Sequence, residues 1–294
     1  MVIVKIWGGL GNQMFQYATA KAVALKYGVD LKLDISHYDK QNENETAREF
    51  RLNIFPSINA EIASAAEVKK CKTIFSNALF NSIYRNVNKH FPRLNSNYLI
   101  ERKKGYEAIS INAATNTYLE GYWQSEEYFK TDRVQIINQF NLDHLQHINS
   151  LALKVNEITC TNAVSVHVRR GDYVSNSQAN AYHGVCSLEY YESAIKMLIG
   201  KLVDPIKFYV FSDDISWCKE NLRFTSEHEY VSTTEDFHDL YLMSKCKHNI
   251  IANSSFSWWA AWLNRDDKKI VVAPKTWFAD EESNNIVPGA WLKV

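Results

Sequence analysis

The stretch VIVKIWGGLGNQMFQYATAKAVALKYGVDLKLD, residues 2–34, decides the fold class. It opens on a compact apolar run of strand length, VIVKIW (2–7), and GGLGNQ (8–13) follows as a turn. In NQMFQYATAKAVALKYG, the residues Phe15, Ala18, Ala22 and Leu25 recur at steps of three and four, which gives a helix one apolar face. Gly28 suits the left-handed position that ends a helix, and VDLKLD (29–34) reads as a second strand. Strand, glycine turn, helix and strand together form the building unit of a parallel sheet.

The alternation returns, more clearly, in the second half. AVSVHV (163–168), IKFYVFS (206–212), EYVS (229–232), HNIIAN (248–253) and KKIVVAP (268–274) read as strands. The helices between them are SLEYYESAIKMLIGKL (187–202) with Ser187 as N-cap, DDISWCKENL (213–222), TEDFHDLYLMSKC (234–246) capped by Thr234, and SFSWWAAWLN (255–264). The middle is less regular. INAEIASAAEVKKC (58–71) looks helical, NTYLEGYW (116–123) a strand and turn, and residues 132–158 one or two helices. Residues 36–51 are polar and read as a loop. A length of 294 residues suits about two domains. We therefore expect two doubly wound α/β domains, residues 1–155 and 156–294, with ligands at the carboxyl ends of their strands and in a cleft between them.

Bulk properties exclude several functions. Thirty-three basic and 33 acidic side chains cancel, which argues against a nucleic-acid binder held by a broad positive field. Cys71, Cys160, Cys186, Cys218 and Cys246 form no CxxC pair and are read as reduced thiols of a cytosolic protein. With no basic-then-apolar leader and no run of 18 apolar residues, a cytoplasmic location is expected. Residues 85–105 carry Arg85, Lys89, Arg93, Arg102, Lys103 and Lys104 against Glu101 alone. That is either a solvated loop or a patch for peripheral contact with anionic lipid or an anionic acceptor.

Three segments carry candidate chemistry. In AVSVHVRRGDY, alternation puts Ser165, His167 and Arg169 on one side, and Arg169 and Arg170 emerge where the strand ends. Two guanidiniums followed by Gly171 suit a phosphate, with Asp172 able to hold one of them; an ordinary surface ion pair would use the same residues. In IIANSSFSWWAAWL (250–263), a helix begins at Ser254–Ser255. Its free amides and partial positive charge favour an anion, and a plain serine cap is the simpler use. Trp258, Trp259 and Trp262 are read as core, not as a sugar-stacking surface. In GGLGNQ, Gly9 and Gly11 match two positions of the dinucleotide fingerprint, Met14 breaks the third, and Asp34 stands where a ribose would bind. Alternatively, Gly11 lets a ligand approach the backbone, with Asn12 and Gln13 offering hydrogen bonds. Asp213 and Asp214 are read as helix caps, and His144 and His147 as a surface pair.

GGLGNQMFQYA, HVRRGDYV, FSDDISWCKEN and NSSFSWWAAWL, in this order and spacing, resemble the α-1,2-fucosyltransferase family, soluble bacterial members especially. The resemblance runs from residue 3 to about residue 278. It implies a GT-B fold of two Rossmann-like domains facing a cleft. The N-terminal domain would take the acceptor and the C-terminal domain GDP-fucose. No metal is required, in keeping with the missing D-x-D. Within the shared H-x-R-R-x-D pattern, Arg169 would contact the β-phosphate, Arg170 would bind beside it, and His167 or Asp172 would assist as base. Ser254 and Ser255 would help hold the diphosphate, and Asp239, with Asp236 as its rival, would read guanine. The acceptor would be the 2-hydroxyl of a terminal β-galactoside on a glycan, in some cases lipid-linked. The competing readings are a dinucleotide oxidoreductase, a non-catalytic sugar-binding protein, and a transferase of the same fold using another sugar nucleotide.

Overall fold

The computed structural model describes residues 1–39, 47–72, 80, 83, 97–102, 105–171, 184–278 and 285–294. Asp172 and all of the basic 85–105 segment except residues 97–102 and 105 lie outside them. The chain divides into two compact units. One comprises Met1–Asn141 with Asn284–Ile286, the other Leu142–Ser283 with Val287–Val294. The division falls at Asn141–Leu142, earlier than the expected 155–156, because the helix at Asn149–Thr159 packs with the second unit.

In the first unit, strand β1 (Val2–Lys5) leads through Gly8 and Gly9 into helix α1 (Leu10–Tyr27) and on to β2 (Leu31–Asp34). Gly28 closes α1 at φ 62° and ψ 41°, its N–H donating to the carbonyls of Ala24 and Leu25. Burial of α1 goes well beyond the apolar face, since Gln13, Gln16 and Thr19 are as buried as Phe15; Leu25, expected inside, is exposed. Next come β3 (Glu61–Ile62), α2 (Ala65–Lys72), β4 (Tyr98–Ile100), β5 (Thr117–Glu120) and α3 (Arg133–Gln139). The segment read as one helix from residue 58 is thus a short edge strand followed by a shorter helix; Lys32 pairs with both Glu61 and Glu67 across the junction. All pairings are parallel, in the order β3-β2-β1-β5-β4. The order reverses between β1 and β5.

The second unit carries α4 (Asn149–Thr159), β6 (Asn162–Val168), α5 (Leu188–Lys201), β7 (Ile206–Ser212), α6 (Ile215–Asn221) and β8 (Glu227–Tyr230). It continues with α7 (Asp236–Lys245), β9 (His248–Ile250), α8 (Ser255–Leu263), β10 (Val271–Ala273) and β11 (Leu292–Lys293). Its sheet is also parallel throughout, in the order β11-β10-β9-β6-β7-β8, and reverses between β6 and β9. Ser187 caps α5 as expected, accepting from Tyr190 N. Thr234 does not cap α7; the N-cap is Glu235, and Thr233 Oγ1 donates instead to Glu235 O and Asp239 Oδ1. Strand β8 starts two residues before the stretch read from sequence because Lys207 draws Glu227 and Glu229 into ion pairs along β7.

The core of the second unit is a layer of Val164, Val166, Val168, Phe208, Val210 and Ile250 with Tyr191, Ala194 and Leu198 of α5 against it. Trp258, Trp259 and Trp262 are fully buried, Trp258 and Trp262 stacked at 13° with centroids 6.1 Å apart. At about 25 cal/mol per Å² and 150–250 Å² each, these rings contribute on the order of 4–6 kcal/mol apiece before entropy. Two buried amides lock α8 to the sheet. Asn264 Nδ2 donates to Cys246 O and Asn249 Oδ1, and Asn249 Nδ2 to Ser165 Oγ and Met243 O. All five cysteines are free; Cys160 is exposed and the other four are buried. Among the described residues no helix is long and apolar enough to cross a membrane.

Candidate functional site

In open parallel sheets, ligands bind outside the carboxyl ends of the strands, where the strand order reverses. In the second unit that place lies between β6 and β9. β6 and β7 pair without interruption from Asn162↔Ile206 to Val168↔Ser212. The two chains leave the sheet side by side, so Arg169 and Arg170 come level with Asp213 and Asp214. Asp213 answers both arginines: Oδ2 accepts from Arg169 Nη1 at 2.9 Å, and Oδ1 from the Arg170 backbone N–H at 2.8 Å. Asp214 accepts from Arg170 Nε at 3.4 Å and caps α6 by accepting from Trp217 N at 3.0 Å. The Arg170 guanidinium lies 4.1 Å from the Trp217 ring centroid. A Cβ on Gly171 would stand 2.6 Å from Asp213 Oδ2, so the turn is shut around the carboxylate.

A partly exposed Arg–Asp pair contributes little to stability. Its effect here is to aim a guanidinium. Asp213 anchors Arg169; Asp172, to which the sequence offered that role, lies outside the described residues, and only Asp214 is the helix cap expected of both.

His167 points inward from β6. It is buried, and its ring packs on Phe256 in the first turn of α8 at 5.7 Å. Among the described residues its Nδ1 has no hydrogen-bond partner. Burial, assisted by the Arg169 charge and opposed by Asp213, pushes its pKa down to about 4, so the imidazole is neutral at pH 7. On the other side of β6, β9 runs in register (Val166↔Ile250), so Ser254 and Ser255 begin α8 at the same sheet edge as Arg169. Ser254 is the N-cap at φ −129°, yet its side chain makes no capping bond. The simple serine cap is therefore not formed, and the hydroxyl and the first-turn amides are not spent on each other. Asn253, which the sequence did not single out, ties this turn to the chain on either side, donating to Gly184 O and Trp277 O.

Asp239 sits in the first turn of α7, which follows β8 at this edge and packs against α8. Burial, with help from Asp236, lifts its carboxyl to about 6, against the hydrogen bond from Thr233 Oγ1 at 2.7 Å. Its rival Asp236 is exposed at the helix start. One sheet edge of the second unit thus carries His167, Arg169, Arg170, Asp239, Ser254 and Ser255.

Gly11, Asn12 and Gln13 belong to the first unit, at the start of α1. Gln13 is fully buried; its Nε2 donates to Gly8 O and Glu49 O, and its Oε1 accepts from Arg51 N. Its amide is occupied by the chain itself. Asn12 Oδ1 accepts from Gln124 Nε2 at 2.7 Å, and Gly11 is buried in the first turn of α1. Asp34, the basis of the oxidoreductase reading, is buried, accepting from Tyr118 Oη at 2.6 Å and Ser36 N at 3.1 Å. Among the described residues no group of three or more His, Cys, Asp or Glu is placed to hold a metal ion.

The model of the family described as "Glycosyl transferase family 11" matches residues 1–293. An Escherichia coli alpha-1,2-colitosyltransferase is 38% identical, covering 100% of this chain and 99% of its own. The O-antigen biosynthesis glycosyltransferase WbnK of Escherichia coli is 35% identical, covering 98% of each. The galactoside alpha-(1,2)-fucosyltransferase 2 of Rattus norvegicus is 27% identical over 91% of this chain and 68% of its own. Among solved structures, the NodZ alpha-1,6-fucosyltransferase soaked with GDP-fucose superposes with a TM-score of 0.50 at 16% identity, covering 89% of this chain and 92% of the other; it shares the two-domain α/β fold.

Proposed function

The chain belongs to glycosyl transferase family 11, and from that premise we propose that it moves L-fucose from GDP-fucose to the 2-hydroxyl of a terminal β-galactoside, with inversion and without a metal. The observation that carries this reading is the guanidinium of Arg169, held by Asp213 at the sheet edge where α8 also begins, its N-cap serine making no capping bond.

The chemistry follows from where charge appears. As the bond between fucose C1 and the diphosphate oxygen breaks, its electron pair goes to the β-phosphate. That group leaves readily without a proton, so the useful contribution is fixed positive charge in place beforehand. Arg169 supplies a full charge, and the amides and hydroxyls at Ser254–Ser255 supply donors. Arg170, its guanidinium 4.1 Å from the Trp217 ring centroid, adds a second charge. The sugar passes through an oxocarbenium-like state. The acceptor 2-hydroxyl attacks C1 from the opposite face, turning the β-linked donor into an α-linked product and releasing its proton late. His167, kept neutral by burial and so able to accept a hydrogen bond or a proton, and Asp172 are the candidate bases for that proton. Asp239 accepts from the N–H edge of guanine when ionised.

Colitosyl transfer is a second reading, favoured by the 38% identity to a colitosyltransferase. Incubation with GDP-fucose, GDP-colitose or GDP-mannose and a panel of β-galactosides, with the linkage mapped by NMR, tests both. An α-1,2-fucosylated product is expected; GDP release with colitose alone would move the assignment to the second reading, and no transfer from any donor would defeat both.

A further inference from the structure

The first unit has its own reversal point, between β1 and β5, and the donor chemistry above does not use what stands there. β1 and β5 run in register through Val4↔Leu119, and at their carboxyl ends Lys5 Nζ meets Glu120 Oε1 at 2.8 Å. Two residues further along each chain, Trp7 and Tyr122 meet with centroids 5.1 Å apart and planes tilted by 53°. Trp7 is half-buried and Tyr122 is 40% exposed, unlike the buried aromatics of the core. Lys5 Nζ lies 4.6 Å from the Trp7 centroid.

Both rings are held with unusual care. Gln16 binds Trp7 through both backbone atoms, Oε1 accepting from its N–H at 3.0 Å and Nε2 donating to its carbonyl at 3.2 Å. The Glu101 carboxylate accepts from the backbone N–H groups of Tyr122 at 2.6 Å and Trp123 at 3.0 Å. A Cβ on Gly121 would fall 2.3 Å from Glu101 Cβ, so the glycine is needed for that approach. Trp123 is held at φ 56°, the one positive φ among the described non-glycine residues, a strain of about 1–3 kcal/mol. Strain kept by so many fastenings marks a turn whose shape matters.

We propose that Trp7 and Tyr122 form the surface on which the acceptor's β-galactosyl ring stacks, with Lys5 and Glu120 reaching its hydroxyls; this rests on the transferase reading above. An aromatic face is electron-rich. A β-galactopyranoside offers the matching surface, because its axial 4-hydroxyl leaves the C–H groups of positions 3, 4 and 5 together on one face. Lys5 and Lys72 face Glu120 at 2.8 and 3.8 Å, and Lys72 also faces Asp34 at 3.9 Å, so two cations meet two carboxylates and the place suits a neutral polyol and not a phosphate. Donor and acceptor would then each use the reversal point of one sheet.

Saturation-transfer NMR with methyl β-galactoside tests the surface directly, with the transfer assay run alongside. The wild type is expected to saturate protons 3, 4 and 5 most strongly. Tyr122→Ala and Trp7→Ala should lose that saturation and raise the acceptor KM roughly tenfold, the scale of one lost aromatic contact, while GDP binding stays as in the wild type. Tyr122→Phe, which restores the ring, should recover the signal. Tyr122 is exposed, so its alanine variant tests binding without loss of the fold. Absent saturation in the wild type, or equal saturation and KM in Tyr122→Ala, overturns the proposal. Saturation at this surface with no sugar transferred would instead sink the transferase reading and leave the surface standing.

Discussion

Replacing Gly171 with alanine tests whether Arg169 acts as an aimed charge. The new Cβ would stand 2.6 Å from Asp213 Oδ2 and 3.1 Å from its Cγ, so the carboxylate has to move. It can move only by giving up its bonds to Arg169 Nη1 and to the Arg170 backbone N–H. The backbone adds nothing, because Gly171 is not among the glycines at positive φ. A hydrogen bond to a charged group is worth about 1.5–3 kcal/mol when shielded, and a partly exposed ion pair about 0–1 kcal/mol. We therefore expect the fold to lose about 1–2 kcal/mol, a few degrees in Tm for a domain of this size. Turnover should fall much further. Loss of one preorganised donor costs roughly 10²–10³, and a misaimed Arg169 should cost about 10–10² with donor saturating. The assay is GDP release in the presence of a β-galactoside, with Tm measured on the same sample. A Gly171→Ala protein with lowered Tm but wild-type turnover would show that Asp213 had been displaced without consequence, and the argument for an aimed charge would fail.

Arg169→Ala removes the charge itself and should lower kcat by roughly 10²–10³ with little change in acceptor KM; steady-state kinetics at saturating GDP-fucose decide. Asp239 links nucleotide affinity to pH. Its carboxyl ionises near pH 6, so as pH falls through that value the acceptor for guanine is protonated and GDP binding should weaken, towards about tenfold per unit below it. Calorimetry from pH 7.5 to 5 checks this, and a flat profile would remove Asp239 from the base-reading role. Gln13→Ala should behave as a packing and hydrogen-bond defect, costing about 2–4 kcal/mol in denaturant unfolding while GDP affinity of the folded protein holds. If affinity collapses and stability does not, Gln13 is a ligand contact after all.

The strands and helices of the second half were legible because apolar runs of strand length alternate there with helical stretches, although the start of α7 was misplaced by one residue. Serines at 187 and 254 mark two of the helix starts. Two strands of the first unit, β3 and β4, were not legible. Glu61–Ile62 carries no alternation, being two exposed residues, and only the pairing with Lys32 and Leu33 makes it a strand. The arginines and the serine turn could be named from sequence because a parallel strand must end in a loop at one sheet edge. Their anchor could not. Asp213 comes level with Arg169 only through the β6–β7 register, which no local pattern encodes. Gln13 shows the opposite error, a polar residue beside glycines that looks outward in one dimension and is wholly enclosed in three.

The distribution of thiols has a practical corollary. Burial lifts Cys186 to about 11 and holds Cys71, Cys218 and Cys246 above the usual thiol range, whereas Cys160 stands exposed where α4 ends. A maleimide dye should therefore find a single sulfur on the native protein and five after denaturation. The wild-type chain comes with its own attachment point for a fluorophore or spin label, set on the second unit and clear of the arginines.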